Sequence, residues 1–77
     1  MSIKLYSTPT CVWCAKTREF FKIHKIKYKD YDVSRNKKAK HEMIHKSGQM
    51  GVPVIDIDGK IILGYNEGEL KKLLKVK

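Results

Sequence analysis

Apolar residues recur along the chain at two spacings, one typical of strands and one typical of helices. Ile3 and Leu5 alternate with polar neighbours and predict a first strand that ends near Ser7. Asp58-Gly59 lies between two apolar segments and predicts a two-residue hairpin turn. The predicted order of elements is βαβαββα. Strands are predicted at 3–7, 28–33, 54–57 and 60–63, and helices at 11–24, at 34–46 and from 66 onward.

The order of the elements predicts an α/β fold in a single domain, 1–77. A strand, a helix and a strand at the start imply a parallel pair with a right-handed crossover. The hairpin adds two antiparallel strands, which gives a four-stranded mixed sheet flanked by three helices. We expect Phe20 and Met43 in the core, Ser34 as the cap of the second helix, and Asp56 facing solvent from its strand.

The charge of the chain allows several acidic partners without choosing among them. Its 77 residues include 17 basic and 8 acidic ones, a net charge of +9. A positive balance speeds association with acidic proteins, nucleic acids or membrane surfaces. Because the lysines are spread along the whole chain, we do not expect nucleic-acid binding. A basic nucleic-acid-binding domain with incidental cysteines is kept as an alternative.

The sequence has neither a secretory signal nor a membrane span in its pattern. The first ten residues lack a continuous apolar run, and no apolar stretch approaches the length of about 18 residues that a membrane helix needs. We therefore expect a monomeric cytoplasmic protein with no membrane partner. Two cysteines three positions apart are, in that compartment, more often catalytic, redox-sensing or metal-binding than structural.

Cys11 and Cys14 are the main candidates for chemistry. A bridge between them would close a loop too short to add much stability. Cys11 lies where the first strand leads into the first helix, and the N–H groups and macrodipole of a helix N-terminus favour a thiolate. We therefore expect Cys11 to attack a substrate disulfide. Cys14, one helical turn later and more buried, is expected to resolve the mixed disulfide.

Zinc binding is an alternative for the same two cysteines. Cys11-x2-Cys14 and His41-x3-His45 each have ligand-type spacing, and the two histidines would share one helix face. The 26 residues between the two halves are too many for a simple zinc finger. We therefore expect no metal site, and we expect both histidines at the surface.

The sequence also resembles the glutaredoxin family over essentially its whole length. The segments that carry the resemblance are Tyr6 through Cys14, Asp32-Val33, Glu42-Met43, Ser47-Gly48, Val52-Pro53-Val54-Ile55 and Gly64. The resemblance implies a thioredoxin-like fold and a disulfide reductase that carries electrons in cell redox homeostasis. It also implies that Pro53 follows a cis peptide bond and packs against the cysteines, and that Val52 offers its backbone to the substrate.

Several positions differ from those of glutaredoxins that use glutathione. Val12-Trp13 replaces the usual Pro-Tyr between the cysteines, and Thr8 replaces a lysine. Val12 and the Gly64-Tyr65 pair are instead similar to NrdH-type redoxins. That resemblance implies thioredoxin reductase as the electron donor and disulfide-containing protein substrates, ribonucleotide reductase among them. Glutathione is the alternative co-substrate, and no tightly bound cofactor is expected.

The residues expected to contact a substrate surround Cys11. Trp13 and Tyr65 are expected to form an apolar rim suited to a protein surface. Arg18 follows Cys14 by four residues and is expected on a solvated helix face, with support of a thiolate as the alternative. Tyr6 is expected either beside the site or within the sheet. The complete expected contact set is Trp13, Val52, Pro53, Tyr6, Tyr65 and Gly64.

Overall fold

The computed structural model describes residues 2–76, and within them it has the predicted order of strands and helices. Met1 and Lys77, the two ends of the predicted domain, lie outside the described residues. None of the described helices is long and apolar enough to cross a membrane. The elements are β1 (Ile3–Ser7), α1 (Val12–Ile23), β2 (Lys29–Asp32), α2 (Lys37–Ser47), β3 (Val54–Ile57), β4 (Lys60–Leu63) and α3 (Glu67–Leu74).

The four strands form one mixed sheet in the order β2-β1-β3-β4. β1 runs parallel to β2 and antiparallel to β3, so that Leu5 pairs with Asp30 on one side and with Ile55 on the other. β3 and β4 form the predicted hairpin, in which Asp58 and Gly59 both have positive φ angles, 50° and 91°. Such angles are required at both central residues of the favoured hairpin turn. The predicted α/β fold is confirmed.

The sheet separates two apolar clusters, since side chains of a strand alternate between its faces. Leu5 joins the cluster that contains residues of α1 and α3, whereas its neighbour Tyr6 joins the cluster that contains residues of α2. The predicted core positions of Phe20 and Met43 are confirmed. The first cluster consists of Ile3, Leu5, Phe20, Phe21, Ile55, Ile57, Ile62 and Leu70, and the second of Tyr6, Val33, Ala39, Met43 and Val54.

The predicted cap of the second helix is wrong by two residues. α2 is capped by Asn36, whose side chain accepts a hydrogen bond from the backbone N–H of Ala39 at 3.0 Å. Ser34 lies in the preceding turn, where its backbone N–H and its hydroxyl both donate to the carboxylate of Asp32. A serine bonded to a nearby aspartate in a turn is not free to cap a helix.

The prediction that Asp56 faces solvent is also wrong, because Asp56 is buried beneath α2. Nζ of Lys46 lies 2.7 Å from its Oδ2, and the backbone N–H of Gly59 donates to its Oδ1 at 2.7 Å. Lys46 also lies 3.2 Å from Oε1 of Glu42, which accepts a hydrogen bond from the hydroxyl of Tyr6. These four side chains, Tyr6, Glu42, Lys46 and Asp56, are called the α2 polar network below.

The α2 polar network shifts the ionisation of its members. The hydrogen bond from Tyr6 and the contact with Lys46 lower the pKa of Glu42 to about 2. Burial is the largest effect on Asp56 and raises its pKa, but the hydrogen bonds from Lys46 and Gly59 and the charges of Lys46 and Lys4 together outweigh it, so the net pKa is lowered. Burial and the hydrogen bond to Glu42 raise the pKa of Tyr6 to about 12. The carboxylates are therefore held ionised while the phenol stays neutral.

We predict that acid destabilises the folded protein through this network. A carboxylate with a lowered folded-state pKa stabilises the fold at pH values above its unfolded-state pKa, about 4.3 for glutamate. That contribution is lost as the pH falls through the folded-state value, about 2 for Glu42. Urea unfolding at a series of pH values should show that Glu42→Gln loses less stability over this interval than the native protein.

Glu19→Gln is the matched control, since Glu19 is an exposed residue of α1 and the substitution changes the charge equally. It should lose stability with acid as the native protein does. Equal acid sensitivity in Glu42→Gln and Glu19→Gln would contradict the assignment of this pH dependence to the network.

Candidate active site

Cys11 occupies the N-cap position of α1, immediately after the turn that follows β1. Its backbone is extended, with φ −85° and ψ 116°, and its Sγ accepts a hydrogen bond from the backbone N–H of Cys14 at 3.1 Å. In most helices an oxygen of serine, threonine or aspartate takes this place. Here a partly exposed sulfur takes this place. It accepts the N–H hydrogen bond and lies at the positive end of the helix macrodipole.

Cys14 lies one turn further along, on the buried face of α1. Thr17 and Phe21 share that face at helical spacing, and the Cys14 side chain is fully buried. Burial is the main reason that the pKa of the Cys14 thiol rises, to about 12, with the hydrogen bond to Cys11 as the next cause. A backbone hydrogen bond from Thr8 and the charge of Arg18 act in the opposite direction. The two thiols therefore occupy contrasting environments.

The loop before β3 brings Val52 to the sulfur of Cys11. The Val52–Pro53 peptide bond is cis, as the resemblance implied. The carbonyl oxygen of Val52 lies 3.9 Å from Sγ of Cys11, and the carbonyl oxygen of Pro53 accepts from the N–H of Gly64 at 2.9 Å. Pro53 is fully buried and Val52 is half-buried, so Val52 is the member of the pair with exposed surface beside Cys11.

An apolar rim lies beside Cys11. The rings of Trp13 and Tyr65 stack with centroids 6.0 Å apart and planes 17° from parallel, although they belong to distant parts of the chain. Trp13 is 54% exposed, and the adjacent Val12 is 68% exposed. Nζ of Lys16 lies 5.6 Å from the Trp13 ring centroid. The predicted pairing of Trp13 with Tyr65 is therefore present, and we call Val12, Trp13 and Tyr65 the rim.

Tyr6 does not belong to this surface. Its side chain is fully buried in the second cluster, its ring stacks on Tyr31 at 5.5 Å, and its hydroxyl donates to Glu42. Of the two places expected for Tyr6, the structure shows the one within the sheet. Its inclusion among the substrate-contact residues was wrong, because a side chain without exposed surface cannot meet a substrate.

Arg18 also differs from its expected position on a solvated face. Its Nε donates to Oδ2 of Asp30 at 2.7 Å, and its Nη2 donates to the hydroxyl of Ser7 at 2.8 Å. The Ser7 hydroxyl in turn donates to Oδ1 of Asp30 at 2.5 Å. The only sequence signal for this arrangement is the spacing of four residues between Cys14 and Arg18, which places both on one helix face.

The zinc-binding alternative is not supported. Within residues 2–76 there is no group of three or more histidine, cysteine, aspartate or glutamate side chains that could hold a metal ion. His41 and His45 are exposed on α2, as expected, whereas the two cysteines belong to the start of α1.

Comparison of the sequence with known proteins gives matches that cover most of the chain. The family model described as Glutaredoxin matches residues 3–62. A glutaredoxin-like 8.6 kDa protein of the rubredoxin operon of Clostridium pasteurianum is 51% identical over 73 residues, which cover 95% of this chain and 97% of that protein.

Comparison of the structure with solved structures gives matches over almost the whole fold. A mutant of the thioredoxin-like protein BC3987 superposes with a TM-score of 0.94 at 26% identity, over 99% of this chain and 97% of its own. The glutaredoxin-like protein NrdH-redoxin from Escherichia coli superposes with a TM-score of 0.83 at 22% identity, over 95% of each chain. The second match is evidence about the fold alone.

Proposed function

Since the chain belongs to the glutaredoxin family, we propose that it reduces protein disulfides through a dithiol cycle of Cys11 and Cys14. One observation carries the proposal. The sulfur of Cys11 caps the N-terminus of α1 and accepts the N–H of Cys14, while the thiol of Cys14 is buried beside it. A partly exposed nucleophile and a protected second thiol are the two parts that this cycle needs.

The first step uses the environment of Cys11. The N–H donor at 3.1 Å and the helix N-terminus stabilise negative charge on Sγ, and the thiolate is the form that attacks a disulfide. Attack forms a mixed disulfide between Cys11 and one substrate sulfur. The bond between the two substrate sulfurs breaks, and the other sulfur leaves with the electron pair and takes a proton from solvent.

The second step uses Cys14. Its thiolate attacks Sγ of Cys11, which forms the Cys11–Cys14 disulfide and releases the second substrate sulfur. Burial of Cys14 keeps this thiol from competing with Cys11 for the substrate in the first step. The protein loses two electrons, the substrate gains them, and a reductase must return two electrons before the next cycle.

The surface beside Cys11 supports a protein as the substrate. The rim exposes a stacked aromatic pair and the valine side chain next to the nucleophile. Aromatic residues are enriched at the centres of protein interfaces. An approaching peptide would meet the backbone of Val52 beside the sulfur. We place the cycle in the cytoplasm, with ribonucleotide reductase among the substrates that the NrdH-like positions suggest.

We predict that replacing either cysteine stops the cycle at a different step. With a disulfide-containing protein substrate, Cys14→Ser should accumulate a covalent adduct of one substrate per protein, because the mixed disulfide on Cys11 is no longer resolved. Cys11→Ser should accumulate none, since Cys14 is buried. Intact-protein mass spectrometry measures both. Adducts in equal amount on both variants would contradict the assigned roles.

A second prediction concerns the electron donor. NADPH consumption should be supported by thioredoxin reductase and be at least about tenfold slower with glutathione and glutathione reductase. The physical reason is that the positions typical of glutathione users are replaced by Thr8 and by the half-buried Tyr65 of the rim. A Trp13→Ala variant should react more slowly with the protein reductase and be unaffected with a small disulfide. Turnover with glutathione alone would overturn the proposed donor.

A further inference from the structure

The second step of the proposed cycle presents a physical problem at Cys14. The thiol must lose its proton to attack, yet its side chain is fully buried, and burial disfavours a charged sulfur. The dipole of α1 helps less here, since Cys14 lies a turn inside the helix. A positive charge close to Cys14 would offset the cost of the thiolate.

Arg18 supplies a positive charge on the correct face. It follows Cys14 by four residues within α1, and side chains at this spacing lie one above the other with Cβ atoms about 6 Å apart. Its guanidinium points to the end of β1, where Nη2 donates to the hydroxyl of Ser7 and lies 3.4 Å from the carbonyl oxygen of Thr8. The carbonyl oxygen of Thr8 also accepts from the backbone N–H of Cys11 at 3.4 Å, so the guanidinium lies beside the turn that leads into the two cysteines.

The guanidinium is held there by a closed set of hydrogen bonds. Nε of Arg18 bonds one oxygen of Asp30, and the Ser7 hydroxyl bonds the other oxygen while accepting from Nη2. Ser7 is fully buried, and the Arg18 side chain is 31% exposed. The position of the charge is therefore set by β1 and β2 rather than by solvent.

We propose that Arg18, anchored by Asp30 and Ser7, is the positioning residue that supports the thiolate of Cys14 during resolution of the mixed disulfide. This inference rests on the proposed dithiol cycle. Cys14 releases its proton to solvent, and its thiolate attacks Sγ of Cys11. The Cys11–Cys14 bond forms, the bond from Cys11 to the substrate sulfur breaks, and that sulfur leaves with the electron pair. Arg18 neither gives nor takes a proton.

The surroundings of Cys14 predict opposite effects for the two partners of the ion pair. The charged or titratable groups that face Cys14 are Cys11 and Arg18, and Arg18 is itself faced by Asp30 and Tyr28. Removing the guanidinium takes away the positive charge. Asp30→Asn keeps a side-chain oxygen that accepts a hydrogen bond, and Ser7 still accepts from Nη2 of Arg18, but the negative charge is gone. The positive charge is then less compensated, so the thiolate is favoured more. A role limited to packing would give the same sign for both substitutions.

The test separates the two steps in one experiment with the full chain. Each reduced protein is mixed with excess dithiobis(nitrobenzoate), which releases one coloured thionitrobenzoate when Cys11 attacks and a second when Cys14 resolves the adduct. The rates of the two phases are followed by stopped flow over a range of pH. The variants are Arg18→Gln, Arg18→Lys and Asp30→Asn, and the control is Arg35→Gln.

We expect Arg18→Gln to slow the second phase about three- to tenfold near neutral pH. Loss of the positive charge raises the pKa of the Cys14 thiol. Each unit of increase lowers the thiolate fraction about tenfold, but the more basic thiolate is about threefold more nucleophilic, which returns part of the rate. The rise of this phase with pH should move to higher pH. Arg18→Lys should recover part of the rate, and Asp30→Asn should be faster than the native protein.

The control removes the same charge at a different place. Arg35 is exposed and pairs with Asp32 at 3.9 Å, so Arg35→Gln should leave the rates of both phases close to those of the native protein. An unchanged second phase in Arg18→Gln, or a slower one in Asp30→Asn, would overturn the role of Arg18. If Arg18→Gln does not fold, the Asp30→Asn variant alone decides the role of Arg18: a faster second phase supports it and a slower one overturns it. Release of only one thionitrobenzoate by the native protein would instead overturn the dithiol cycle.

Discussion

The hydrogen bond from the backbone N–H of Cys14 to Sγ of Cys11 is the interaction on which the proposed chemistry depends. It requires Cys11 at the N-cap of α1, and α1 starts there because β1 ends at Ser7 and a short turn follows. β1 is an inner strand that pairs with both β2 and β3. The position of the sulfur is therefore determined by the centre of the sheet, which leaves little freedom at the active site.

A separation of one helical turn is enough to give the two thiols different properties. Cys11 lies outside the first turn and keeps exposed surface, whereas Cys14 lies on the face that packs against the sheet. The backbone of α1 thus gives the proposed nucleophile and the proposed resolving thiol their different exposures. What the backbone does not supply is charge beside Cys14, and the pair of Arg18 with Asp30 lies where that charge is needed.

The parts of the fold that the sequence predicts well depend on neighbours along the chain. Alternation around Ile3 and Leu5, the Asp58-Gly59 turn and helical spacing were sufficient for the order of the elements and for the hairpin. The strand–helix junction at Cys11 follows from the same local patterns. The cis bond before Pro53 came from the family resemblance, since spacing does not distinguish cis from trans.

The predictions that failed concern polar residues whose partners are distant in sequence. Asp56 is buried because Lys46 of α2 covers it, and Arg18 is held by Asp30 of β2. Tyr6 is buried in the second cluster, where its hydroxyl donates a hydrogen bond to Glu42. The prediction of Ser34 as a helix cap failed for a local reason, because Ser34 donates hydrogen bonds to Asp32 instead. In the first three cases the hydrophobic pattern places the elements correctly but does not show which charges they bring together.

In the proposed cycle this chain turns over disulfides with Cys11 as the nucleophile. The most direct measurement is the reduction of insulin by dithiothreitol, followed as turbidity, with native protein and with Cys11→Ser at equal concentration. We expect native protein to accelerate the reaction and Cys11→Ser to return it to the rate without protein. Equal acceleration by Cys11→Ser, or none by the reduced native protein, would contradict the proposed cycle.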